Sequence, residues 1–177
     1  MNGIGKDWMK YKTIYIDPPW TFTGAGSFRK KMAPSKYDVM SIDDIRNMKQ
    51  EIDELSDDNC LMFMWVTSCY LKEAIEILEH WNFKYITNIC WYKPHSFGLG
   101  RYIRTEHELC LIARKGKHKF KATDVRSVIV SKRRQHSRKP DEMYDIIERI
   151  AHPPYIELFA RNRHTGWDSQ GNEVDKF

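Results

Sequence analysis

Seven consecutive apolar residues, Cys60–Val66 (CLMFMWV), interrupt a charge-rich chain and narrow its choice of fold more than any other segment. A strand with one wet face alternates apolar and polar residues, whereas a strand without alternation must be covered on both sides. The run is far too short to cross a bilayer as a helix. Soon after it, Leu71, Ala74, Ile75, Leu78 and Trp81 recur at the spacing of one helical face. Lys84–Tyr92 then returns to β-branched and aromatic residues, the composition of another strand.

The same alternation runs through the rest of the chain. Lys12–Ile16, Glu106–Arg114, Val125–Val130 and the segment YIELFA (155–160) read as further buried strands. SIDDIRNM (41–48) starts a helix, with Ser41 as N-cap and Asp44 three residues on as in a capping box. Pro140 is placed to open another at its first position, with Asp141 and Glu142 in the first turn. Met143, Ile146, Ile147 and Ile150 supply that helix with a buried stripe. Strands separated by helices indicate an α/β fold, a mostly parallel sheet with helices on both faces. With no repeat, low-complexity tract or linker, residues 1–177 are expected to form a single domain.

Composition excludes several classes. Hydrophobic residues make up 41% and charged residues 30%, which is globular rather than disordered. The N-terminal MNGIGKDWMKYK has no apolar signal region, so a cytoplasmic protein without membrane attachment is expected. Cys60, Cys69, Cys90 and Cys110 show no C-x-x-C spacing and read as reduced thiols. His107 and His136 have no partner at metal spacing, so no metal is expected. Net charge is +5, and its distribution says more than its size. Arg29, Lys30 and Lys31 cluster in one loop-like segment, and Lys132, Arg133 and Arg134 begin a second run ending at Lys139. Either alone is ordinary solvated surface; two together favour a polyanionic partner.

The strand Lys12–Ile16 leads straight into Asp17-Pro18-Pro19-Trp20. The prolines end the strand because they cannot donate to its ladder. Ligands of such sheets bind beyond the carboxyl ends of strands, which is where this tetrapeptide falls. Asp17 brings a carboxylate acceptor, the prolines bring carbonyls without N–H donors, and Trp20 brings a flat ring. Together these form a slot for a planar heterocycle with an exocyclic amine. Acceptors on both amine protons favour a pyramidal nitrogen with an available lone pair, and Asp17 is placed to take a released proton. The long loop over 21–40, with Gly24, Gly26 and Pro34, adjoins this slot.

Seven collinear blocks, IYIDPPW, KYDVM, LMFMWVTS, RTEHELCLIARKG, HSRKPDEMYDIIERI, IELFAR and GWDSQGNEV, resemble the MT-A70 family of S-adenosylmethionine-dependent adenine-N6 methyltransferases over nearly the whole chain. The resemblance implies a Rossmann-like methyltransferase fold in permuted order, with the catalytic motif ahead of the cofactor-binding strand. It implies that Asp17, Pro18, Pro19 and Trp20 hold the adenine amine, with Tyr37, Glu106 and Ser137 lining the target-base side. Cofactor contacts are implied for Asp17, Lys139, Phe159, Arg161, Arg163, His164, Asn172 and Glu173. Ala160 stands where the family often has glycine.

The function expected is methyl transfer to N6 of adenine in a polynucleotide, with Arg29, Lys30, Lys31, Lys132, Arg133 and Arg134 on phosphates. The base must be reached outside its stack. A compact chain without an appended RNA module favours DNA over RNA. Cytosine-N4 methylation and a non-catalytic nucleic-acid-binding subunit are the rival readings, and a homo- or hetero-dimer is compatible with all of them.

Overall fold

The computed structural model describes residues 10–21, 39–96, 102–135 and 138–176. Its strands are β1 (Tyr11–Ile16), β2 (Ser56–Val66), β3 (Lys84–Tyr92), β4 (His107–Lys115), β5 (Val128–Val130), β6 (Tyr155–Leu158) and β7 (Trp167–Gln170). Its helices are α1 (Ile42–Asn47), α2 (Lys49–Leu55), α3 (Leu71–His80) and α4 (Glu142–Ile150). All strands join one sheet in the order β5-β3-β4-β2-β1-β6-β7. β4 is antiparallel to both of its neighbours, and every other pairing is parallel. The mostly parallel α/β expectation holds, with the reversal of β4 added to it.

The apolar run of β2 is covered on both faces, as its lack of alternation requires. Met62 and Met64 face a layer built by Ile45, Ile52, Ala74, Ile77 and Leu78 from α1, α2 and α3. Leu61, Phe63 and Trp65 face the other layer, where Met143, Ile147 and Ile150 of α4 pack. Phe63 has no exposed surface; truncation to alanine at such a site costs about 3–5 kcal/mol. The polar Thr13 is tolerated inside β1 because its hydroxyl donates to the His152 carbonyl at 2.7 Å.

Several boundaries differ from the sequence expectations. β2 begins at Ser56 rather than Cys60, because its first four residues are polar, Asp58 and Asn59 exposed, and carry no apolar signature. β5 is only Val128–Val130; Val125 packs against the α4-side core without joining the ladder. Pro140 lies before α4 rather than at its first position. Asp141 is the N-cap residue, and its carboxylate makes no cap bond because Arg134 and Arg138 draw it away. The segment after Ala160, which carries no strand pattern, contains the edge strand β7. The Ser41–Asp44 capping box is present on α1 in both directions.

The order of the sheet places a crevice beside β1. From β1 the chain moves to β2 on one side and later returns to β6 on the other, with helices on opposite faces of the two halves. Such a reversal opens a crevice at the carboxyl ends of the flanking strands. Asp17 and Phe159 follow directly from β1 and β6 at that crevice.

Candidate active site

The Asp-Pro-Pro-Trp segment is a built turn. Trp20 N–H donates to the Pro18 carbonyl at 2.9 Å, closing a three-residue turn about Pro19. The Pro19 carbonyl accepts from Met40 N–H at 2.9 Å, and Thr21 N–H donates to the Met40 carbonyl at 3.1 Å. This clamp ties the two ends of the long loop together. Each proline carbonyl therefore already accepts one backbone bond and keeps one lone pair. Trp20 is 6% exposed, its ring stacks on Tyr70 at 5.6 Å, and its Nε1 donates to the Trp65 carbonyl at 3.0 Å. One ring face is therefore already occupied, so Trp20 is not the open platform that its position in the motif suggested.

Asp17 is held by a chain of alternating charges. Lys139 donates to Asp17 Oδ2 at 2.7 Å and lies 3.4 Å from Glu108 Oε2. Lys93 donates to the other Glu108 oxygen at 2.7 Å. Burial alone would raise the Glu108 pKa, but Lys139 and Lys93 outweigh it and hold the group at about 2. Burial likewise opposes charge on Lys139, yet Asp17 and Glu108 keep its pKa above the ordinary lysine value. Trp65 is buried beneath this pair, with the Lys139 ammonium 5.5 Å from its ring centre.

Glu108 was missed in the sequence, where Glu106 carried the expectation. Glu106 gives its backbone carbonyl to Lys93 N–H at 2.7 Å, while the carboxylate that meets Lys139 is two residues further on. The signal was available in register: Glu108, Cys110 and Ile112 alternate onto one strand face, and Cys110 lies opposite Trp65. The reversal of β4 is what brings its first residues to the carboxyl-end crevice.

On the β6 side, Tyr144 donates to Glu157 at 2.6 Å, and Trp65 Nε1 donates to the Tyr15 hydroxyl at 2.6 Å. Glu157 is 8% exposed, and burial, aided by the neighbouring Asp17 charge, pushes its pKa up to about 7. Phe159 takes a left-handed backbone conformation (φ 59°), which turns the chain sharply after β6. Ala160 is buried, and a side chain on Gly171 would come within 2.7 Å of its carbonyl, so glycine at 171 admits this turn. Arg161 lies 3.4 Å from Glu173, which also accepts from Lys176 at 2.6 Å.

Asp17, Lys139, Phe159 and Arg161 thus line one cleft, together with Tyr144 and Glu157, which the sequence did not single out. Arg163 is exposed and pairs with Asp175 at 2.9 Å. His164 stacks on Tyr144 at 4.2 Å and approaches Glu148 at 3.2 Å, behind the cleft wall. Neither Arg163 nor His164 is among the cleft residues. Asn172 is exposed beyond β7. Arg134, expected on phosphate, donates to Asp141 at 2.6 Å and to the Lys139 carbonyl at 3.0 Å. That engagement makes it a brace for Lys139. Lys132 and Arg133 are exposed after β5. Arg29, Lys30, Lys31, Tyr37 and Ser137 lie outside the described residues. A larger cavity of about 540 Å³, among Lys10, Lys49, Asp53 and His80, lies at the opposite end of β1. Its lysines already bond Asp53.

A mostly parallel, helix-covered sheet with an acidic proline turn over its carboxyl ends is the arrangement of a Rossmann-like methyltransferase. Residues 11–173 match the MT-A70 family, and the chain belongs to it; the family's enzymes transfer a methyl group to N6 of adenine. The Type II methyltransferase M.MunI of Mycoplasma sp is 30% identical, over 93% of this chain and 78% of that protein. A putative N(6)-adenosine-methyltransferase MT-A70-like protein of Medicago truncatula is 35% identical, over 93% of this chain. The human N(6)-adenosine-methyltransferase catalytic subunit METTL3 is 32% identical, over 94%. The chain spans 26% and 28% of the length of the latter two.

Proposed function

We propose that the protein methylates N6 of adenine in a polynucleotide, with DNA as its substrate and S-adenosylmethionine as donor. The observation that carries this reading is the Asp17–Lys139 pair at the mouth of the crevice, with Glu108 behind it and Glu157 beside it. DNA is favoured over RNA because the likeness to the Type II methyltransferase extends over 78% of that protein.

The cleft suits the donor in its charge pattern. Carboxylates at Asp17 and Glu157 favour a sulfonium and an ammonium, and Lys139 is the cation for an amino-acid carboxylate. In this reading Glu173 and Asn172, after β7, accept from donor hydroxyl groups. When bound, the donor supplies a methyl group on a good leaving group, so alignment supplies much of the acceleration. Asp17 and the remaining lone pair of a proline carbonyl accept from the two amine protons, which localises the nitrogen lone pair. Asp17 then receives the proton that the methylated amine releases. Trp20 and Tyr70 form a fixed aromatic wall beside the turn. Lys132 and Arg133, exposed after β5, meet backbone phosphate.

No helix among the described residues is long and apolar enough to cross a membrane. All four cysteines are free thiols, which suits a reducing cytoplasm. The test incubates wild type and Asp17→Ala with methyl-labelled S-adenosylmethionine and matched DNA and RNA, followed by digestion to nucleosides. Label in N6-methyldeoxyadenosine with wild type alone is the expected result. Label in cytosine, or salt-sensitive binding without turnover, overturns the reading.

A further inference from the structure

A second concentration of positive charge lies at the end of the sheet away from the cleft. β4 starts at His107, next to Glu108 of the cleft, and ends at Lys115, a run of roughly 25 Å at about 3.3 Å per residue. Beyond it the chain turns through Gly116 into Lys117, His118, Lys119 and Lys121. Arg114 is the cross-strand partner of Lys84, and both are exposed. Like charges placed opposite one another cost stability, and the fold does little to offset them. Among the described residues, Lys12, Lys84, Arg114, Lys117, Lys119 and Lys121 have no carboxylate at ion-pair distance. The nearby acids do not cancel this surplus: Asp53 is taken by Lys49 and Lys115, and Asp124 by Arg149, leaving the half-buried Asp57, which accepts from Asn59 N–H, and the exposed Asp58.

The segment that presents these cations is anchored. Gly116 has φ +64°, and a side chain there would meet the Asp58 carbonyl at 2.1 Å, so the turn fits closely against β2. Lys117 N–H donates to Asn59 Oδ1 at 2.7 Å, and His118, 7% exposed, places Nδ1 3.1 Å from the Asn59 carbonyl. Lys121 N–H donates to the Ile150 carbonyl at 2.9 Å, ending α4. The His118 and His152 rings lie 5.4 Å apart. Burial, then His118, Lys121 and Lys12, lower the His152 pKa, as a local surplus of positive charge requires. A preset array of cations on a fixed turn loses less entropy on binding than a mobile tail.

We propose that this far edge is a second contact for nucleic-acid backbone, holding the substrate on the flank of the target base. The proposal rests on the polynucleotide reading of the cleft. At about 3.4 Å per nucleotide, engaging both places needs a flank of about eight nucleotides or more.

The test measures binding by fluorescence anisotropy for wild type and the triple variant Lys117→Ala/Lys119→Ala/Lys121→Ala. Duplex DNA of about 30 base pairs and of about 8 is titrated over a range of salt. Three lost phosphate contacts should weaken the long duplex about tenfold or more and flatten its log–log salt slope by about 2.7. Affinity for the short duplex, and methyl transfer to it, should stay unchanged. An unchanged slope on the long duplex, or equal losses at both lengths, overturns the proposal. So does binding to anionic phospholipid vesicles that the variant loses while its DNA binding stays intact. If no nucleic acid is methylated by either protein while the variant still loses length-dependent binding, the substrate reading falls and the second contact stands.

Discussion

Lys139 donates to the carboxylate of Asp17 at 2.7 Å across 122 residues of sequence, so the loop after β5 holds the acid that ends β1. The pair is mostly enclosed, with side-chain exposures of 17% and 21%. Its ammonium also faces Glu108, and this arrangement makes Lys139 the member whose loss leaves most charge unpaired.

Lys139→Met is expected to lower activity at least 100-fold and to destabilise the fold by about 2–3 kcal/mol. That range is below the figure for a fully buried pair because water reaches part of this one. Urea unfolding together with steady-state methyl transfer measures both effects. Retained activity would remove Lys139 from the site.

Glu108→Gln should cost activity about as much as the Lys139 change, whereas Glu106→Gln should leave it within about threefold, since only Glu108 separates two ammonium groups. The folded pKa of Glu108, about 2, lies below its ordinary carboxylate value of 4.5. Its stabilising contribution, about 2–3 kcal/mol, is therefore present above pH 4.5 and is lost as pH falls towards 2. Unfolding followed between neutral and acid pH should show a shallower decline for Glu108→Gln.

Glu157 has the opposite sign. Its folded pKa, near 7, lies above its ordinary value, so its contribution is full below pH 4.5 and disappears as pH rises through 7. Over the same rise its ionisation adds negative charge beside Asp17, which should strengthen binding of a cationic donor several-fold between about pH 6 and 8. Calorimetric titration with S-adenosylmethionine should show that rise in wild type and a flat profile in Glu157→Gln.

Arg134 and its neighbours separate a brace from a phosphate contact. Lys132→Ala/Arg133→Ala is expected to reduce the salt slope of DNA binding by about 1–2, one part for each lost phosphate. Arg134→Ala should leave that slope unchanged and lower kcat instead, because it releases the Lys139 backbone and Asp141. Salt titrations beside turnover assays make the comparison.

The fold was legible wherever burial writes a period into sequence. The unbroken run of β2, the helical spacing of α3 and the box at Ser41 each reflect one local force and appeared where expected. The reversal of β4 was not legible, because a strand carries the same alternation in either direction and its sense is decided by pairing. β7 was missed since Trp167 is the one apolar residue among Trp167, Asp168, Ser169 and Gln170, and a single buried ring writes no period. In the site, Asp17 and Lys139 could be named from their motifs, and the structure brings them into contact. The engagement of both proline carbonyls could not be seen, since the donor to Pro19 is Met40, beyond a long loop. Arg134 and His164 are polar residues in suggestive places whose partners, Asp141 and Tyr144, belong to α4 and its N-cap and emerge only in three dimensions.

The backbone bridge between Thr21 and Met40 separates two mechanical tasks. The chain leaves the catalytic turn at Thr21 and enters α1 from Met40, and two backbone bonds fix these two points to one another. Between points fixed in this way, each doubling of a loop's length costs only about 0.6 kcal/mol. A connection of another length could therefore be exchanged at this gate without moving Asp17, which makes it a natural joint for re-engineering.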